Sequence, residues 1–138
     1  SGITMRHHRG YRPAFPQLTV FLRSENDRLG PYPALLDTGG DATMVPSDLL
    51  DGIGAIEGER ATMRSHFGER LPVQTYVVDL EIEDFVFTGL YVIGDDFGEE
   101  IILGRDVLNK LPLFLDGPEG QTDVLDDAAV KRLRARRE

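Results

Sequence analysis

The chain has 138 residues, 41% of them apolar and 28% charged, which fits one folded domain with a core and excludes a disordered segment. It has no cysteine, so disulfides, thiolate zinc sites and a cysteine nucleophile are excluded. The net charge of −9 is uneven: residues 13–126 hold 7 basic and 22 acidic residues, while both ends are basic. So acidic a body argues against nucleic acid as a partner. The tail from Lys131 to Arg137 is either a solvated extension or a contact for an anionic membrane or partner. No apolar run approaches the ~20 residues that span a bilayer, and there is no signal-peptide core at the start. The compartment is left open, and the sequence fits a piece of a longer protein as well as a whole one.

Residues 1–15 lack periodicity and read as an irregular basic lead-in, broken by Pro13 and Pro16. Gln17–Arg23 is rich in strand formers, Ser24–Pro31 is a polar turn, and Tyr32–Asp37 is a second strand. Thr43–Val45 is extended, and Pro46–Leu50 opens a short helix that Gly52 ends. Glu59–Phe67 and Arg70–Ile82 form a long hairpin turning at Phe67-Gly68-Glu69. Within it Tyr76, Val78, Leu80 and Ile82 share one face. Phe85–Ile93 is a strand region interrupted at Gly89, followed by a short apolar strand, Glu100–Leu103. Val107, Leu108 and Leu111 are spaced for one helical face over Arg105–Leu111. Leu113–Leu115 and Thr122–Leu125 flank a turn-rich connection and read as a terminal hairpin, and residues 127–138 as a short basic helix. Many short strands with few helices predict an all-β, barrel-like fold.

One stretch stands apart. In Ala34-Leu35-Leu36-Asp37-Thr38-Gly39-Gly40-Asp41 an apolar strand delivers a carboxylate to a glycine turn. A carboxylate so placed is costly unless it is hydrogen-bonded or used. Asp37 is therefore either a structural group bonding turn amides or a reactive one.

Two segments resemble the retropepsins, the single-lobe aspartic proteases of retroviruses with cellular and bacterial relatives. ALLDTGGDATMV (Ala34–Val45) is similar to the family's apolar strand, Asp-Thr/Ser-Gly, small residue, acid and Thr. IILGRDVLNKL (Ile101–Leu111) is similar to its later apolar-Gly-Arg-Asp/Asn-apolar-Leu segment. The resemblance implies a retropepsin-like β-barrel, closed or partly open, over residues 16–126, flanked by the lead-in (1–15) and a helical extension (127–138). Short helices follow the Asp-Thr-Gly loop and the Gly-Arg-Asp segment.

It also implies roles. Asp37 resembles the catalytic aspartate, and Thr38 the residue that locks two active-site loops across a dimer. Gly39 and Gly40 resemble positions whose backbone bonds substrate. Asp41 resembles the acid that grips substrate main chain and pairs with Arg105. The hairpin from about Met63 to Val73 corresponds to the flap, with His66, Phe67 and Gly68 near its tip, and Leu35 and Ile102 to side-chain subsites. Gly40 stands where the family commonly has alanine, and the tip has one glycine where the viral flap is glycine-rich.

With one Asp-Thr-Gly in a chain too short for two lobes, the expected aspartate pair comes from two chains in a twofold dimer. Carboxylates about 3 Å apart share one proton, so the pair supplies both base and acid. Thr122–Leu125 is the expected dimer contact. The expected activity is an aspartic endopeptidase acting on extended polypeptide. The alternative is an inactive or weakly active dimerisation or peptide-binding module on the same fold. No cofactor or metal is expected: His7 and His8 read as solvated histidines at a loose end, and the acids lack EF-hand spacing. A phosphate loop and a nucleophilic serine elbow are also missing.

Overall fold

A computed structural model describes residues 3–64 and 67–137. The first strand, β1 (Ile3–Arg6), lies in the segment expected to be irregular. It pairs antiparallel with β10 (Gln121–Val124), which in turn pairs with β9 (Leu113–Asp116), giving a three-stranded sheet in the order β1-β10-β9. The strand arises from tertiary pairing with β10. His7 then continues it: its amide donates to the Gly120 carbonyl at 2.8 Å, and its ring Nε2 meets Thr122 Oγ1 at 2.9 Å. His7 is therefore a buried, hydrogen-bonded side chain and not a solvated one.

The main sheet contains β2 (Gln17–Arg23), β3 (Arg28–Leu36), β4 (Met44–Pro46), β5 (Ile56–Arg64), β6 (Arg70–Ile82), β7 (Phe85–Asp95) and β8 (Ile101–Leu103). Its order is β2-β3-β8-β4-β7-β6-β5, and β2 also pairs with β6, so six strands close a barrel with β5 outside the ring. Three helices complete the chain: α1 (Ser47–Gly52), α2 (Arg105–Leu108) and α3 (Asp127–Ala135). Leu18, Val20, Leu22, Val45, Leu50, Leu80, Val92 and Leu103 fill the interior together with Val78 and Ile82. The alternation read at Tyr76, Val78, Leu80 and Ile82 is the inward face of β6. Burial pushes the Tyr76 phenol above its ordinary value, and Asp51, Glu57 and Asp96 add to the shift.

Several boundaries differ from the expectations. β3 begins at Arg28, because Arg28–Tyr32 pair with Arg23–Val20 across a bulge instead of forming a free turn. There Gly30 sits at φ +139°, and a Cβ would lie 2.8 Å from the Phe21 ring and 2.9 Å from the Val20 carbonyl. β7 runs through Gly89, which at φ +65° forms a bulge whose amide is held by Asp79 Oδ1 at 2.9 Å. α2 stops at Leu108, and tighter bonds from Lys110 N to Val107 O and from Leu111 N to Leu108 O carry the chain to Pro112. Val107, Leu108 and Leu111 are nonetheless all buried. α3 is capped by Asp126, whose Oδ1 accepts from Ala129 N at 2.8 Å.

The terminal hairpin forms as read, but β10 is its central strand, with β1 on one edge and β9 on the other. Thr122 is fully buried. Thr122–Leu125 thus has no free edge on its strand portion to offer a second chain. Of the two edge strands, β9 carries exposed apolar side chains, with Phe114 and Leu115 49% and 50% exposed.

Candidate active site

The topology makes the site. β8 lies between β3 and β4, so the connection from β3 to β4, residues 37–43, must arch over the end of β8. β3 and β8 run parallel in the register Ala34–Ile101, Leu35–Ile102, Leu36–Leu103, which brings the two sequence motifs side by side. The Asp37 amide continues this pairing by donating to the Leu103 carbonyl at 2.9 Å. Gly104 then passes beneath the arch, where a Cβ would lie 2.6 Å from the Ala42 carbonyl oxygen and 2.9 Å from its nitrogen. Only glycine fits there.

The arch is tied down at both ends. Arg105 N donates to the Gly40 carbonyl at 2.8 Å, and the Arg105 guanidinium donates through Nη1 to the Thr38 carbonyl at 2.8 Å. Thr43, fully buried, donates its hydroxyl to Asp106 Oδ1 at 2.8 Å and its amide to Asp106 Oδ2 at 3.1 Å. The same hydroxyl accepts from Gly104 N at 3.2 Å. This Thr43–Asp106 knot was missed from the sequence, although both residues stand in the motifs. Only the crossing of the two segments gives them a common purpose. Replacing Thr43 with Val keeps the shape but strands the Gly104 amide and part of the Asp106 carboxylate. The expected cost is about 1–3 kcal/mol of folding stability, read from the shift in a urea midpoint, with Thr43→Ser recovering most of it.

On this frame Asp37, Thr38 and Gly39 are exposed and Gly40 is half-buried. Asp37 Oδ1 accepts from Gly39 N at 2.9 Å, while Gly40 N donates to the Asp37 carbonyl at 3.2 Å. A side chain on Gly39 would bring a Cβ within 3.1 Å of that Oδ1. One carboxylate oxygen is thus fixed by its own turn, and Oδ2 takes no bond among the described residues. The structural role considered for Asp37 is real but uses half of the group.

The remaining expected site residues are distributed as follows. Leu35 and its β8 neighbour Ile102 stand on the face opposite the core residues Ala34, Leu36, Ile101 and Leu103, with Leu35 buried there and Ile102 half-buried. The expected Asp41–Arg105 ion pair does not form: both side chains are exposed, and Arg105 spends its guanidinium on the Thr38 carbonyl. A backbone oxygen offers that charge a fixed partner, and an exposed ion pair is worth little against it. Phe67, 93% exposed, and Gly68, at φ +82°, lie at the tip of the β5–β6 hairpin. His66 lies outside the described residues.

A barrel closed by six strands, crossed by an Asp-Thr-Gly arch, defines the fold of the single-lobe aspartic proteases. The chain has that retropepsin-like fold. It is similar in structure to a retropepsin-like aspartic protease from Rickettsia conorii, with a TM-score of 0.61 over 90% of each chain at 12% identity. It is also similar to EIAV protease complexed with the inhibitor HBY-793, with a TM-score of 0.53 and 19% identity over 70% of this chain and 86% of that one. No protein-family model and no curated protein matches the chain.

Proposed function

We propose that the chain is one half of a homodimeric aspartic endopeptidase, with Asp37 from each copy forming the reacting pair. The observation that carries this reading is the state of Asp37. Its Oδ1 is oriented by Gly39, its backbone is anchored to β8, and the residue is exposed, with its Oδ2 taking no bond among the described residues. A costly arch ending in an idle, exposed carboxylate makes sense if a second carboxylate meets it across a twofold axis.

In that assembly one Asp37 takes a proton from water as the oxygen attacks the peptide carbonyl. The other gives its proton to the carbonyl oxygen, and collapse returns a proton to the departing nitrogen. Thr38, exposed beside the axis, locks the two arches together. Gly39, Gly40 and Asp41 offer main-chain and carboxylate contacts to an extended substrate, and the β5–β6 hairpin closes over it with Phe67 and Gly68 at its tip. Leu35 and Ile102 border side-chain subsites. The basic surface of α3 remains available to an anionic partner.

The dimer contact falls on β9 instead of β10, because a strand edge carrying two half-exposed apolar side chains is a template for another chain. The test is digestion of a mixed peptide library at acid pH. The expected result is cleavage that a transition-state mimic of the pepstatin type stops. A stable dimer that binds peptides without cutting them would favour the peptide-binding module instead.

A further inference from the structure

We propose that Tyr11, on the N-terminal arm, is a specificity-determining residue of the substrate cleft: its ring walls the cavity beside Ile102, and its hydroxyl withholds Glu100 from the substrate. This deepens the endopeptidase reading and rests on it.

The arm is a closed loop. His8 N donates to the Phe15 carbonyl at 2.7 Å and Phe15 N to the His8 carbonyl at 3.0 Å. Gly10 N donates to His8 Nδ1 at 3.0 Å, and a Cβ at Gly10 would lie 2.7 Å from His8 Cε1, so a side chain there would displace the His8 ring. The Tyr11 ring sits between two others, edge-on to His8 at 5.3 Å between centroids and tilted on Phe15 at 5.4 Å. From this seat the phenol donates to Glu100 Oε2. His8 Nε2 lies 3.9 Å from the other oxygen of the same carboxylate. The bond to Glu100 raises the Tyr11 pKa above its ordinary value, which keeps the hydroxyl a donor.

Between Tyr11 and Ile102 lies a cavity of about 350 Å³, also lined by Asp95, Gly98, Glu99 and Glu100. Ile102 pairs with Leu35 on β3, two residues before Asp37, so the cavity lies on the strand face that leads to the reacting carboxylate. Two of its three carboxylates are engaged. Asp95 Oδ1 accepts from Phe97 N at 3.0 Å and Gly98 N at 2.9 Å, and Glu100 is occupied by Tyr11. What a substrate side chain meets is therefore the Tyr11 ring and Ile102, which select by size and apolarity, beside the Glu99 carboxylate.

Two substitutions separate ring from hydroxyl. Tyr11→Phe keeps the wall and frees Glu100, so kcat/KM for Lys or Arg relative to Leu at one substrate position should rise about tenfold. Tyr11→Ala should show the same gain and also admit bulky aromatic side chains. Adding Glu100→Gln to Tyr11→Phe should cancel the cationic gain. The readout is the cleavage profile of a defined peptide library, with melting temperature measured alongside. A gain confined to one subsite is not what mere loosening of the arm produces. If the wild-type chain cleaves and both Tyr11 variants keep its profile, the role of Tyr11 is overturned alone. If the wild-type chain cleaves nothing, the endopeptidase reading falls and this inference with it. Should Tyr11→Ala fail to fold, the Tyr11→Phe profile decides.

Discussion

Asp37→Asn should lower peptide cleavage at least about 10³-fold while leaving the melting temperature and the sedimentation behaviour unchanged. The reason lies in how Asp37 is held. An asparagine can still present an oxygen to the Gly39 amide, so the turn keeps its 2.9 Å bond and the arch its shape. What is lost is the ability to take and return a proton. If each active site draws on two chains, as proposed, mixing variant and wild-type chains in equal amounts should leave about a quarter of the activity of the same total of wild-type chain after exchange, the fraction of dimers with two aspartates. Activity near one half would point to a site complete within one chain. Full activity of the pure variant would remove Asp37 from the mechanism.

The second large effect concerns β9. Phe114→Asp combined with Leu115→Arg puts charges on the exposed apolar edge of the terminal sheet. The expected outcome is a dimer at least about 100-fold weaker, equivalent to about 2.8 kcal/mol. At micromolar concentration the variant should sediment as a folded monomer and be inactive, with activity returning as concentration rises. Since neither side chain belongs to the buried core, the thermal transition of the monomer should remain cooperative. A variant that stays dimeric and active would place the interface elsewhere, with the outer edge of β1 the next surface to test.

Much of this architecture was legible because local pattern and tertiary role agree. The alternation at Tyr76–Ile82 states which face of β6 is inside, and the apolar run Ala34–Leu36 ends at the exposed Asp37 as its composition implies. The parts that were not legible depend on partners far away in sequence. β1 is a strand because β10 is beside it. Gly30-Pro31 looks like a turn and lies in a strand because β2 bulges to meet it. Arg105 was matched with Asp41 by motif, yet a rigid carbonyl lay closer to hand. Thr43 and Asp106 share a purpose only because β8 is threaded between β3 and β4.

That threading bears on when the half-site comes into being. The ties that hold the arch to the segment beneath it come from residues 103–106, which follow Asp37 by more than sixty positions in the chain. Contacts of such separation form late, after the loop between them has been closed at an entropic cost. During synthesis, then, the aspartate emerges early on an untethered segment and waits for β8 to slide beneath it. A nascent or truncated chain ending before Leu103 would carry the whole Asp-Thr-Gly motif without these ties. If the chain is the endopeptidase proposed above, self-cleavage by incomplete chains is withheld by the order of folding itself.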